Sequence, residues 1–424
     1  MKIKLLFALS AIAMLNNPML ADNVSPDFPE DESGQTSETI DYASWMKNLS
    51  SGAYIDQVSI PGTHDAGTGN GTSSDNLART QELSLEEQFR AGVRAFDLRP
   101  AAKGNTLQIY HGAIKTNVSF EEALDTFVEL LNENSSEFVV IVMRHEDDSE
   151  GDADKENWGV LMNNILMQEK YAEYLKMFAS DLTVMDMRGK ILVLSRDSYA
   201  TTPVGGYISG WTHSENFDEQ KRAKVQAPRN SVLAVVQDYY EMENNEQQQI
   251  KADAIKTVLD YSTQLHTKSG HNWVINHTSG YYASSIFDKL NMQNCYRKNA
   301  AVTNIEVVNY LADEDHAGPT GLVMMDFAGV DRSGSYDVNG KQLVEAIVAN
   351  NFRYTMRGIV TGVEEVSGEG GIRILGNEIM ADGEITVYRL DGTRVTDGEN
   401  NVSISVPGLY IVRSGSHSEK VIIR

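Results

Sequence analysis

The stretches FVVIVM (138–143) and KILVLS (190–195) are apolar at consecutive positions, without the alternation of a half-exposed strand. Such strands are buried on both faces and belong to parallel sheets covered by helices. Helical patterns lie between several of them. SFEEALDTFVELLNEN (119–134) opens on Ser119 with Glu122 three residues on, a capping box. NNEQQQIKADAIKTVLDY (244–261) and KQLVEAIVANN (341–351) are further amphipathic helices.

The candidate strands are Val58–Ile60, Val93–Leu98, Leu107–Tyr110, Phe138–Met143, Ile191–Ser195, Val232–Val236, Trp273–Ile275 and Leu322–Met325. Their alternation with helices predicts an α/β fold, a (β/α)8 TIM barrel over 43–352. One connection breaks the pattern: Pro100–Thr106 is too short for a crossover helix, so the barrel is expected to be irregular there. From about 360 to 424, short alternating runs split by Gly and Asp-Gly turns predict a small antiparallel β domain.

The first residues, MKIKLLFALSAIAMLNNPMLA (1–21), combine Lys2 and Lys4 with an apolar run from Leu5 to Leu15 and a small Ala21. That is the anatomy of a secretory signal, too short to span a bilayer, and the chain is expected to be exported. Residues 22–42 are acidic and read as a linker. A formal net charge of −24 argues against nucleic acid, which needs a basic face, and against bulk electrostatic attachment to an anionic membrane. Any lipid contact would be local. Cys295 is the single cysteine, which excludes an intrachain disulfide and a thiolate metal cage.

In a parallel barrel, chemistry collects where the strands end. SIPGTHDAG delivers His64 and Asp65, FDLRP delivers Asp97 and Arg99, and QIYHG delivers His111. Later ends bring Arg144, His145 and Glu146, then Arg196, then Asp238 and Tyr240, then His277, and finally Asp326. Packing does not require titratable groups at nearly every such position. Two histidines and an arginine suit phosphodiester cleavage without a metal. One imidazole takes a proton from the attacking hydroxyl, and one imidazolium protonates the leaving oxygen. The guanidinium balances charge on the phosphate oxygens.

SIPGTHDAGTG, TQELSLEEQFRAGVRAFDLRP, and LQIYHG with SFEEALDTFVELLNENSSEFVVIVMRHE resemble, in order and spacing, the X domain of bacterial phosphatidylinositol-specific phospholipases C. The likeness is strongest over 57–146 and weaker to about 350. It implies His64 as general base, His111 as general acid and Arg99 on the phosphate. Asp65 would bridge Arg99 and the leaving-group side, Asp97 would support His111, and Asp326 would orient His64. Arg196, Asp238 and Tyr240 fall where the family contacts inositol, and Arg144 stands where a lysine is usual. The acidic HEDDSEGDADKE (145–156) also departs from the family. The implied partner is phosphatidylinositol or a glycosyl-phosphatidylinositol (GPI)-type lipid, met transiently at a membrane surface, with no cofactor and no metal. GLYIVRSGSHSEKVIIR (408–424) resembles sorting domains of the type IX secretion system, or is a plain β appendage.

Two other functions stay open. A metal-dependent glycerophosphodiester phosphodiesterase would share the barrel but place metal-binding Glu and Asp where Arg99 stands. A non-catalytic inositol-lipid-binding protein would lose a catalytic histidine. Trp211 is either a lipid-dipping residue or a packed aromatic, and His277 belongs to the rim or the core. His145 reads as a loop residue, and the acidic stretch around it as solvated or as a cation site.

Overall fold

The structure, a computed structural model, describes residues 40–147, 152–211, 221–226, 231–244 and 246–359, and most of 372–423. The secretory signal (1–21) and residues 22–39 of the linker therefore lie outside the described residues. Among the described residues, twelve strands of four residues or more build the main body: β1 (Ile60–Thr63), β2 (Ala95–Leu98), β3 (Pro100–Lys103), β4 (Thr106–His111), β5 (Ile114–Ser119), β6 (Val139–Met143), β7 (Ile191–Ser195), β8 (Gly206–Ser209), β9 (Lys221–Gln226), β10 (Ser231–Gln237), β11 (Asn272–His277) and β12 (Leu322–Met325).

Nine of them close a barrel in the order β1-β12-β11-β10-β9-β8-β7-β6-β2. Neighbours are parallel except at β9, which runs antiparallel to β8 and β10. The runs that lacked polar alternation are β6 and β7, and every residue in both is buried. At Gly62 an added Cβ would lie 2.5 Å from Met324 Sδ and 3.0 Å from Ala95 Cβ, so glycine lets the strands on either side close around β1.

The expectation of an irregular (β/α)8 barrel needs two corrections in detail. Leu107–Tyr110 is not a barrel strand. It lies in β4, the middle of a separate antiparallel sheet β3-β4-β5. A turn at Gly104 (φ 61°) joins β3 to β4, and a link this short can only reverse the chain. Second, β8 and β9 take barrel places that no candidate strand covered. β9 reads KRAKVQ, with Ala223 and Val225 buried between exposed Arg222, Lys224 and Gln226, a half-polar strand without an apolar run.

Ser119 caps the helix Phe120–Glu133 as expected. The Glu122 carboxylate accepts from the Ser119 N–H at 2.8 Å, and Ser119 Oγ accepts from the Glu122 N–H at 3.2 Å. The expected helices after β10 and β12 span Gln247–Ser262 and Gly340–Asn350. A long helix, Met292–Ala312, was not expected. Its buried face carries Asn299, Thr303 and Asn304, so it shows no apolar stripe. No helix of the described residues is long and apolar enough to cross a membrane.

The C-terminal segment forms the expected antiparallel β domain. Arg373–Leu375, Glu378–Met380 and Asn401–Ser403 make one sheet, and Arg394–Gly398, Ile385–Arg389, Gly408–Ser414 and His417–Ile423 another. Ile379, Ile385, Val387, Val402, Tyr410, Val412 and Val421 form a core of its own.

Candidate active site

His64 and Asp65 follow β1, Asp97 and Arg99 end β2, Arg144 follows β6 and Arg196 follows β7. Asp238 and Tyr240 follow β10, His277 ends β11 and Asp326 follows β12. These are the C-terminal ends of the parallel strands. His111 arrives from the side sheet, at the end of β4, and its ring centroid lies 6.2 Å from that of His64.

The turn after β1 aims the first pair. Asp65 adopts the left-handed conformation (φ 44°, ψ 49°), which Asp tolerates better than most residues. Thr68 holds it there, donating to the Asp65 carbonyl from its N–H at 3.0 Å and its hydroxyl at 2.9 Å. Gln81 then ties two strand ends together. Its amide nitrogen donates to the carbonyls of His64 (2.8 Å) and Met325 (2.9 Å), and its oxygen accepts from the Ala328 N–H (3.0 Å).

Asp326 Oδ1 lies 2.8 Å from His64 Nδ1. His111 Nδ1 donates to the Ala78 carbonyl at 2.8 Å, which leaves Nε2 for chemistry. The two Nε2 atoms meet at one oxygen: Asp65 Oδ2 is 3.1 Å from His64 Nε2 and 3.5 Å from His111 Nε2. Burial, then the Asp65 charge, raises Asp326 well above its ordinary range, so Asp326, His64, Asp65 and His111 titrate as one coupled set. Burial raises the Asp65 carboxyl, against the opposing pull of Arg99. Burial, followed by the Arg99 charge, lowers His111 to about 4. Burial and Arg99 thus bias His111 toward its neutral form.

Arg99 faces the other oxygen of Asp65, with Nε 3.1 Å from Oδ1. Its Nε and Nη2 also donate to Asp97 Oδ2 at 3.1 and 2.9 Å, and that oxygen accepts from the Asp65 N–H at 3.2 Å. Asp97, expected to support His111, acts on it through its charge alone. Asp97 is bonded to Arg99 and to the Asp65 backbone, and His111 meets Asp65 instead. Burial works to raise Asp97, but Arg99, Arg196 and His277 together hold it below its usual range. His64, Asp65 and Asp97 also place ligand atoms within 4.8 Å of one another, a spacing a cation could use. In this arrangement the Arg99 guanidinium already binds both carboxylates.

A second cluster flanks the first. Arg196 stacks on the Trp211 ring, 4.0 Å from its centroid, and lies 3.6 Å from Asp238 Oδ2, which accepts from Trp211 Nε1 at 2.8 Å. Trp211 is thus a packed aromatic. His277 is buried, its Nδ1 3.2 Å from Ser279 Oγ and 3.9 Å from Asp238 Oδ1, and burial lowers it to about 4. The Tyr240 ring lies 5.0 Å from His64, and burial keeps its phenol neutral. Arg144 is half-buried, within electrostatic reach of Asp65 and Arg196.

The acidic stretch after β6 is not simply solvated. Glu146 and Asp152 are buried. Asp152 accepts from His145 Nε2 at 2.8 Å and from the Ala102 N–H at 2.6 Å, while His145 stacks on Trp158. These contacts tie Asp152, and His145 through it, to β3. Sequence reasoning also missed Gln81, Glu146 as a buried acid beside Arg99, and Lys251. Lys251 left a readable trace, because it falls in phase with Ile255, Val258 and Leu259 on the apolar stripe of its helix.

Residues 69–197 match the family model of the phosphatidylinositol-specific phospholipase C X domain. The 1-phosphatidylinositol phosphodiesterase of Listeria monocytogenes is 35% identical over 158 residues, 36% of this chain and 48% of the relative. The chain therefore spans about half the length of that relative. The 1-phosphatidylinositol phosphodiesterase of Staphylococcus aureus (strain Newman) is 24% identical over 307 residues, 69% of this chain and 91% of the relative. A solved S. aureus phosphatidylinositol-specific phospholipase C, from work on modulation of its membrane binding, superposes with a TM-score of 0.59 at 22% identity. It covers 72% of this chain and 97% of its own, a likeness of fold.

Proposed function

We propose that this protein is a phosphatidylinositol-specific phospholipase C, an exported lyase that splits phosphatidylinositol, or a GPI-type lipid, into diacylglycerol and inositol 1,2-cyclic phosphate. The observation that carries the reading is the convergence of His64 Nε2 and His111 Nε2 on one oxygen of Asp65, with Arg99 on the other. His64 takes the proton of the inositol 2-hydroxyl as its oxygen attacks phosphorus. The bond from phosphorus to the glycerol oxygen breaks, and His111, reprotonated through Asp65, gives that oxygen its proton. Asp326 holds the His64 imidazolium that forms, and Arg99 balances charge on the nonbridging oxygens. Slower attack of water on the cyclic ester reverses the two roles. Arg196, Asp238, Tyr240 and Arg144 surround the inositol hydroxyls.

Lipid contact falls on the short helix Ile286–Leu290, where Ile286, Phe287 and Leu290 are exposed apolar side chains. The helix that follows is tied by Gln293 to Asn76, close to the Ala78 carbonyl that holds His111. An apolar rim of this kind dips into a bilayer where a net charge of −24 cannot attach by electrostatics. In the same reading the C-terminal β domain serves sorting during secretion.

The test is a phosphorus NMR time course on phosphatidylinositol vesicles in excess EDTA. The 1,2-cyclic phosphate should appear first and inositol 1-phosphate later. Inositol 1-phosphate with no cyclic species at early times would sink the mechanism. Activity lost in EDTA and restored by calcium would favour the metal-dependent alternative.

A further inference from the structure

His277 is the last residue of β11, and the alternation of the strand decides where it points. Its neighbour Asn276 faces outward, donating from Nδ2 to the Ile255 carbonyl on the helix Gln247–Ser262 at 3.0 Å. Successive side chains leave a strand by opposite faces, so His277 points into the barrel, at its mouth. There its ring stands between two others. The His64 ring lies 6.0 Å away and the Trp211 ring 5.7 Å away, each edge to face with it. His277 is 1% exposed, and packing alone gives no reason to desolvate two ring nitrogens at this place.

The two nitrogens are in different situations. Nδ1 lies 3.2 Å from Ser279 Oγ and 3.9 Å from Asp238 Oδ1. The nearby Asp238 carboxylate favours the tautomer that carries its proton on Nδ1, so Ser279 Oγ accepts and Nε2 is left with a lone pair. Burial lowers the imidazole to about 4, so the ring is neutral at pH 7. Nε2, the nitrogen farther from the backbone, is buried and has no hydrogen-bond partner among the described residues. Such an atom is uncommon in a folded chain, and at the mouth of a ligand site it is a place for a donor on the ligand. The lone pair of a neutral ring repels a phosphate oxygen and suits a hydroxyl. Hydroxyls are also what Arg196 and Asp238, on the far side of the Trp211 contact, are read to bind. We infer that His277 is a specificity-determining residue, whose Nε2 accepts a hydrogen bond from one of the inositol hydroxyls at positions 3 to 6, which take no part in the reaction.

The inference rests on the reading of the mouth as an inositol site, but its first test needs no turnover. Protein labelled with nitrogen-15 in its histidine rings is titrated with myo-inositol at pH 7. The His277 signals are those missing from His277→Gln or His277→Phe. An unprotonated ring nitrogen moves upfield when it accepts a hydrogen bond, so the Nε2 signal should move that way and saturate. The second test uses phosphatidylinositols that lack one hydroxyl, at position 3, 4, 5 or 6. For one of them, wild type should lose about tenfold more in kcat/KM than His277→Phe loses, the worth of one hydrogen bond to a buried acceptor. His277→Gln, whose amide oxygen also accepts, should keep part of that discrimination. A merely structural histidine would change neither the Nε2 signal with inositol nor the ranking of the analogues. An Nε2 signal unmoved by myo-inositol, or equal losses in wild type and His277→Phe for every analogue, overturns the inference. Wild-type protein that leaves phosphatidylinositol intact while myo-inositol moves Nε2 overturns the proposed reaction and keeps the contact.

Discussion

Asp65 Oδ2 faces two imidazole nitrogens, at 3.1 and 3.5 Å, and the behaviour of each site residue follows from how protons are placed around it. His64→Ala and His111→Ala should each lower kcat by about 10²–10⁴, the worth of one positioned proton transfer. A substrate with a good leaving group needs no acid, so it should rescue His111→Ala and leave His64→Ala inactive; equal rescue would reverse the assignment. Burial and Arg99 hold His111 at about 4, a depressed value that leaves it neutral at pH 7. A bound phosphate monoester cancels the Arg99 charge, so the His111 titration should move upward from that value. NMR titration with and without inositol 1-phosphate reads the shift, and a downward shift would place the anion elsewhere. Arg99→Lys should lose about 10²–10³ in rate, because a point charge cannot serve two carboxylates and a phosphate from one planar fork.

Between elements, what matters is how strand ends are held in register, and this is where the sequence was only partly legible. His64, Asp97, Arg99 and Asp326 could be placed because buried parallel strands show as apolar runs and the residue just after each run faces the barrel mouth. His111 could be named, but its strand was misassigned to the barrel, since a short antiparallel strand with half its side chains buried looks the same in either sheet. Gln81 gave no signal. It lies in a connection, and its role depends on two carbonyls, His64 and Met325, more than 240 residues apart in the chain. Gln81→Leu would take one donor from each carbonyl, leaving the His64 N–H on Met325 and the Thr80 hydroxyl on His64, and would strip the Ala328 N–H of its Gln81 acceptor, at about 1–3 kcal/mol. It should lower kcat through a loosened His64–Asp326 pair as well as lower the melting temperature. Ser119→Ala provides the contrast: losing a helix cap costs about 1 kcal/mol of stability and should leave kcat unchanged. If Gln81→Leu also keeps full kcat, the clasp holds the fold and not the reaction.

Across the whole molecule, charge and apolar exposure oppose each other. The chain carries 60 acidic against 36 basic residues, while its proposed substrate sits in an anionic surface. Composition made that conflict legible, but not its resolution. Ile286, Phe287 and Leu290 stand out only once folding leaves them exposed on a helix of five residues. Repulsion between like charges acts over the Debye length, about 10 Å at 0.1 M salt and about 3 Å at 1 M, whereas insertion of an apolar side chain is not weakened by salt. Binding to vesicles of phosphatidylinositol in phosphatidylcholine should therefore strengthen as sodium chloride rises, the reverse of a protein that attaches through a basic patch. Phe287→Ala should weaken binding at every salt concentration, by about 1.5–3 kcal/mol if the ring is fully inserted. Its turnover of a soluble inositol phosphodiester should match wild type, because Phe287 touches none of the reacting groups. Sedimentation of vesicles across a salt series, with both proteins side by side, separates the two contributions. Binding that falls with salt would mean that a local cluster of lysines and arginines, and not the apolar helix, makes the contact.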